Sequence, residues 1–390
     1  MVNRIFVLFL ALAAVGSSAF ASRASNIVLG TGDAGTILNG GSFFYDDNYN
    51  MFYNPAYIND FKNFAIIEKS NFPGTTAQGG FVSSWGNWNV GAYFNRGNAV
   101  VTTPGLATAA GGFVGNISNT NAYGAATPNR PIDLMAGTDL GMMKIGLGLT
   151  YASNNNGTLQ TSYLAGTLGA EIMGLDPFLT YNFMTGDSGP STDSHTYIRG
   201  GARYHFGEWT PYFAVSYASD TTVVLPTAAY KELNIGGGIG RSTRVSDGVR
   251  MNYALSYWAV NDTLAPGLTV GSSTPTRIIL PIDFSLEGDA MSWLTLRGGV
   301  GFHLIDRTNT ANTADNATGR IGATAHVGKV DVEWALGRSF NPASNQESSA
   351  SPIGSTTTPP GTVATNLPYD AQGVDIGAQF FSALNVAYHW

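Results

Sequence analysis

Long segments of this chain alternate between apolar and polar residues, and that period of two limits what it can fold into. Trp88, Val90, Ala92 and Phe94 alternate with Asn89, Gly91 and Tyr93. Met143, Ile145, Leu147, Leu149 and Tyr151 alternate with Lys144, Gly146, Gly148 and Thr150. Residues 209–217, 294–303 and 330–337 repeat the pattern. On a helix these side chains would scatter around a cylinder, whereas a pleated strand sorts them onto two faces.

The length of the segments and the character of the second face narrow the class. Most segments approach or exceed the ~9–11 residues that a tilted strand needs to cross a bilayer, while soluble strands are commonest at about 5–6. Opposite the large apolar residues lie mainly Gly, Thr, Ser and Asn, with few charges. A soluble sandwich would fill that face with Lys and Glu. Small polar residues suit the concave lumen of a closed barrel, and large apolar residues its lipid face. The expected fold is therefore all-β, a transmembrane antiparallel β-barrel. The count favours sixteen strands, beginning near Phe64, with fourteen as the alternative.

Connections alternate in length. Short turns fall at Gly86-Asn87, Leu140-Gly141, 174–176, Gly207-Glu208, 242–248, 287–289 and Gly328-Lys329. Longer polar stretches lie at 97–131, 153–158, 186–193, 220–226, 261–275, 307–315 and 341–372. In such barrels short turns face the periplasm and long loops face outward. Trp85, Trp88, Trp209, Trp293 and Trp390 sit at the short-turn ends, as an interfacial aromatic girdle requires.

The beginning of the chain gives the compartment. Arg4 precedes an unbroken apolar stretch of eleven residues, 5–15, followed by Ala19-Phe20-Ala21. That is the anatomy of a secretory signal peptide with cleavage after Ala21. Eleven residues at 1.5 Å rise cannot cross a ~30 Å hydrocarbon core, and no later apolar run reaches the ~20 a spanning helix needs. Cys is absent, so neither a lipid anchor on Cys nor a disulfide nor a thiolate metal site is available. A net charge of −7 argues against nucleic acid. The expected organisation is a signal peptide (1–21), an N-terminal segment (22–61) and a barrel (62–390). The expected location is the bacterial outer membrane, in contact with its lipid and lipopolysaccharide.

Catalytic chemistry is not indicated. His195, His205, His303, His326 and His389 show no metal-ligand spacing, and the inward register of His205, His303 and His326 disfavours an outer-face Ser–His pair. Residues 236–240, GGGIG, resemble a phosphate loop, but no helix pattern follows, so they read as small residues on a curved strand. No catalytic residue, metal or cofactor is expected.

The charged residues sort inward. By register Lys144, Arg199, Arg203, Arg250, Arg277, Arg297 and Arg320 face the lumen, as do Asp133, Asp139, Glu232, Asp283, Glu287, Asp331 and Glu333. A barrel forces this, because charge on the lipid face is costly. Two readings stay open: a water-filled pore lined by opposed charges, or a lumen closed by salt bridges.

Two short motifs carry resemblances. Phe380, Leu384, Val386, Tyr388 and Trp390 share one face, and the aromatic ending, Tyr388 and Trp390, resembles the C-terminal signal read by the outer-membrane assembly machinery. Near the other end, Asp46-Asp47 and then Met51-Phe52-Tyr53-Asn54-Pro55-Ala56 follow a Gly-rich stretch. Asn54, Pro55 and Ala56 in this setting resemble the long-chain fatty-acid channel family, FadL, and the related PorV-type barrels. The resemblance covers about 35 residues. It implies an N-terminal hatch inside a fourteen-stranded barrel, and it departs at Tyr57, where that family usually has Gly. The function expected is a porin-like channel for small solutes or hydrophobic ligands. The alternative is an abundant surface protein with a plugged lumen whose loops bind partners. Protease applied to intact cells should cut within 97–131 and 341–372; cleavage only after permeabilisation would reverse the assigned orientation.

Overall fold

Each alternating segment is a strand, and each strand finds its partners in the segments before and after it. The computed structural model describes residues 23–30, 42–70, 77–96, 129–155, 160–188, 191–221, 229–264, 276–308, 317–340 and 380–390. The expected signal peptide and the bulk of the two longest connections, 97–128 and 341–379, lie outside the described residues. The strands are β1 (Phe64–Ser70), β2 (Gln78–Trp85), β3 (Trp88–Phe94), β4 (Asn129–Asp139), β5 (Met143–Asn155) and β6 (Gln160–Ile172). They continue as β7 (Leu175–Ser188), β8 (Ser191–Tyr204), β9 (Trp209–Thr221), β10 (Ala229–Ser246) and β11 (Val249–Leu264). The last five are β12 (Thr276–Met291), β13 (Leu294–Thr308), β14 (Ala317–Val327), β15 (Val330–Phe340) and β16 (Phe380–His389).

All sixteen pair antiparallel with their sequence neighbours, and β1 pairs with β16 to close the barrel. Closure runs from Phe64↔His389 to Ser70↔Ala383 and removes both free edges. Sixteen strands rather than fourteen therefore form the wall. Tight turns are set by residues that reach the left-handed region: Gly86 and Gly141 hold φ of 61° and 85°. Three turn positions differ from the sequence reading. Pairing continues through 242–246 and 287–291, so those turns fall at Asp247-Gly248 and Ser292-Trp293, and β7 already begins at Leu175. Polar residues near a turn look like loop in sequence, but a ladder already under way keeps adding backbone hydrogen bonds.

The register expected from alternation is the one observed. Leu147, Leu149, Tyr151, Phe213, Leu296 and Trp334 are exposed on the outer face. Inward-facing Gly148, Ala214, Asn234 and Ala335 are buried. What buries them is not a second sheet but the chain's own beginning. A short helix, α1 (Arg23–Leu29), packs along the inner faces of β12 to β16. Two 3-10 turns, Asn48–Phe52 and Pro55–Asn59, follow; the second packs against β3 to β6. Phe43, Tyr49, Met51, Phe52, Tyr53 and Ile58 join wall residues such as Val82, Met135, Phe178, Tyr212 and Trp258 in one apolar cluster. The core of this protein thus lies between the wall and the N-terminal segment.

Leu147 is 55% exposed on the lipid face. Leu147→Arg should lower barrel stability by about 2–4 kcal/mol, read from urea unfolding in lipid vesicles. Full tolerance would remove Leu147 from the bilayer-facing register.

Candidate functional site

The site is the contact between the N-terminal segment and the wall, and the Asn-Pro-Ala motif shows how the sequence builds it. Asn54 caps the second 3-10 turn, its side chain accepting from the Ala56 N–H at 3.1 Å. Pro55 opens the turn, where its fixed φ suits it and its missing N–H costs nothing. The amide of Asn54 then donates to the Ala170 carbonyl of β6 at 3.0 Å. The wall must be bare there: a Cβ at Gly146 would collide with the Pro55 carbonyl, and one at Gly169 with the Asn54 side chain. Asn59 donates to the carbonyls of Thr138 (3.4 Å) and Ile145 (3.3 Å) and accepts from Asn89 Nδ2 at 2.9 Å.

Charges complete the attachment. Arg203, buried on β8, donates from Nε to Asp176 Oδ2 of β7 at 2.8 Å. Its Nη1 reaches the carbonyls of Ser42, Phe43 and Tyr45 at 3.3–3.4 Å. Its Nη2 meets the Asp46 carboxylate and the Tyr57 hydroxyl, and the guanidinium lies 4.8 Å from the Tyr57 ring centroid. Tyr57 in turn donates to Asp176 at 2.5 Å, and His205 contacts the same carboxylate at 2.8 Å. Desolvation works to raise the Asp46 carboxyl; Arg203 outweighs it and holds the group below the ordinary carboxylate range.

Neighbouring arginines serve the same segment. Arg199 donates to Thr180 at 2.9 Å and to the Phe52 carbonyl at 3.4 Å. Arg96 sits 4.1 Å from the Phe52 ring centroid and grips Asp133 through two hydrogen bonds of 2.9 and 2.8 Å. Lys144 pairs with Asp60 of the segment and with Glu171 at 2.8 Å. On the far wall, Ser25 of α1 donates to Glu333 at 3.3 Å.

The charges expected to line water are therefore mostly buried in pairs. Arg199, Arg203, Asp133, Asp283, Arg297, Arg320, Asp331 and Glu333 are all buried. Arg297 pairs with Glu287 at 2.5 Å, Arg320 with Asp283, and Asp331 with His326 and His389 at 2.7 and 3.1 Å. Residues from neighbouring strands and the N-terminal segment pack around these side chains. Asp139 and Arg250 share the inward register and are exposed beside the short turns. Glu232 and Arg277 pair by backbone with Asp262 and Val260, and their side chains lie outside the described ones. Sequence reasoning missed Asp60, Arg96 and Asp176, and met Asp46 and Tyr57 only as parts of the N-terminal resemblance. The Asp46-Asp47 pair was a signal, because a buried segment with acids needs inward cations opposite.

The class defined by this architecture is an outer-membrane-type antiparallel β-barrel that holds its own N-terminal segment in the lumen. No known protein family and no curated protein matches the sequence. Among solved structures, the chain is similar to a FadL homologue from Pseudomonas aeruginosa, with 12% identity, 93% of this chain and 99% of that chain covered, and a TM-score of 0.41. It is also similar to a bacterial polysaccharide outer membrane secretin, at 10% identity over 84% of this chain and 98% of that chain, with a TM-score of 0.44. The alcaligin outer-membrane receptor FauA from Bordetella pertussis matches at 10% identity over 72% of this chain and 52% of that one, with a TM-score of 0.38. The chain spans about half the length of FauA. At these identities the likeness is one of fold.

Arg203→Met should lower unfolding free energy by about 3–5 kcal/mol, since it leaves Asp176 and three carbonyls without their buried partner. Arg203→Lys should fall between, keeping the charge but losing the planar fork. Chemical denaturation in detergent checks both.

Proposed function

We propose that this protein is an outer-membrane channel for small molecules whose lumen is closed at its short-turn half by residues 42–61, and which conducts when that segment shifts. The carrying observation is how the segment is attached. It is buried against the wall, yet none of residues 42–61 joins a strand ladder. It is held by side chains, ion pairs and aromatic contacts, so it can move without breaking the barrel. Ion pairs suit a movable closure, because both partners recover hydration when water enters. The residues expected to line a pore, Arg199 and Arg203 above all, act in this reading as the fastening. The reading places the protein in the bacterial outer membrane, exported by residues 1–21 and delivered by an assembly machinery that reads Tyr388 and Trp390. Solutes would pass along Phe178, Tyr212 and Trp258, a lining that favours those with an apolar surface.

One observation favours a permanently plugged surface protein instead. Phe43 stacks on Tyr212 at 4.1 Å, and Tyr53 meets Phe178 edge-on at 5.1 Å, as in an ordinary core.

Conductance across a planar bilayer separates the two. The wild type should be closed most of the time, and Arg203→Met should raise open probability at least about tenfold while circular dichroism shows unchanged strand content. Silence from both proteins would leave the plugged reading.

A further inference from the structure

A cavity of about 410 Å³ opens at the short-turn end between the N-terminal segment and the wall. The segment contributes Asp46, Tyr57 and Asp60, and the wall contributes Lys144, Glu171 and Asp176. Four of these six are carboxylates. The cations that answer them are Lys144, bridging Asp60 and Glu171, and Arg203, bridging Asp46 and Asp176. With all four carboxylates ionised, the two full positive charges leave a surplus of two, which His205 beside Asp176 reduces only when protonated. Glu171 shows where the surplus acts: its Oε2 takes Lys144, while its Oε1 is buried with no hydrogen-bond partner.

Apart from His205 and two glycines, the rest of the lining is methionine. Met142, Met143 and Met173 flank the charged floor, and Met142 and Met173 are 75% and 78% exposed. Thioether side chains are flexible and polarisable, and they accommodate apolar bodies of varied shape. Met173 holds φ at 51°, a left-handed conformation that suits Gly or Asn far better, so the fold presents this side chain at the rim against its backbone preference.

We propose that this cavity binds a small organic cation, a protonated amine carrying an apolar body. Its ammonium group donates to the accessible Asp46 and Asp60 carboxylates, with Glu171 behind them, while its body lies against the three methionines. An alkyl carboxylate of the same length meets the surplus negative charge and is disfavoured. An alcohol gains the methionine contact alone. Recognition by this chemistry stands apart from whether the lumen opens, so the test uses binding and not conductance.

The experiment is isothermal titration calorimetry on the full-length mature protein in non-ionic detergent, with hexylammonium, hexanoate and hexanol as matched probes. Hexylammonium should bind at least about tenfold tighter than either of the others. Glu171→Gln should weaken it about tenfold, and Asp60→Asn, on the segment rather than the wall, should weaken it as well. Asp247→Asn removes an exposed acid from a different short turn and should leave binding unchanged. Equal binding of the ammonium and the alcohol would overturn the proposal, as would preference for hexanoate. Hexylammonium binding that survives both lining substitutions, or that falls equally with Asp247→Asn, would mark a diffuse surface attraction and overturn it too.

Discussion

The guanidinium of Arg203 is the point on which the interior of this barrel turns. A closed wall of this strand number leaves an aqueous interior unless something fills it. A buried charge is tolerable only if it is paired and its donors are used. Arg203 meets both conditions at once, with Asp176 from the neighbouring strand and Asp46, Tyr57 and three carbonyls from the N-terminal segment. Burial of the arginine and docking of the segment therefore require each other.

The rest of the interior follows from having that segment in place. Where its backbone runs closest, the wall presents glycine, as at Gly146 under Pro55 and Gly299 under Val28. Where its rings reach the wall they meet Tyr93, Phe178 and Tyr212, so an apolar core forms in a position that an empty barrel would leave to water. Elsewhere charges pair within the wall, Arg297 with Glu287 of the neighbouring strand and Arg320 of β14 with Asp283 of β12, across β13 and beside Gly30 of the segment. The outer face carries none of this burden and stays apolar.

The wall was legible because its signal is local. Alternation needs only adjacent residues, so Leu147 could be placed outward and Gly148 inward from sequence, as could the inward register of Lys144, Arg203 and Glu333. The strand ends were less legible, since residues 242–246 and 287–291 are polar in composition yet remain paired. The site was legible only in part. Arg199 and Arg203 were found as inward charges, but the groups that hold them come from Phe52 and Asp46, about 150 residues away. No periodicity encodes a contact of that separation. The glycines on the inner face looked like a lumen lining of small residues, and only the three-dimensional fold distinguishes a residue that is small for water from one that is small for a neighbouring backbone.

The measurement closest to the central claim is hydrogen exchange along residues 48–61 of the protein reconstituted in lipid. If Arg203 holds the segment in the lumen, these amides exchange slowly in the wild type. In Arg203→Met they exchange fast while β5 to β8 keep their protection. Rapid exchange of the same amides in the wild type, at the rate of an unanchored loop, would contradict the account.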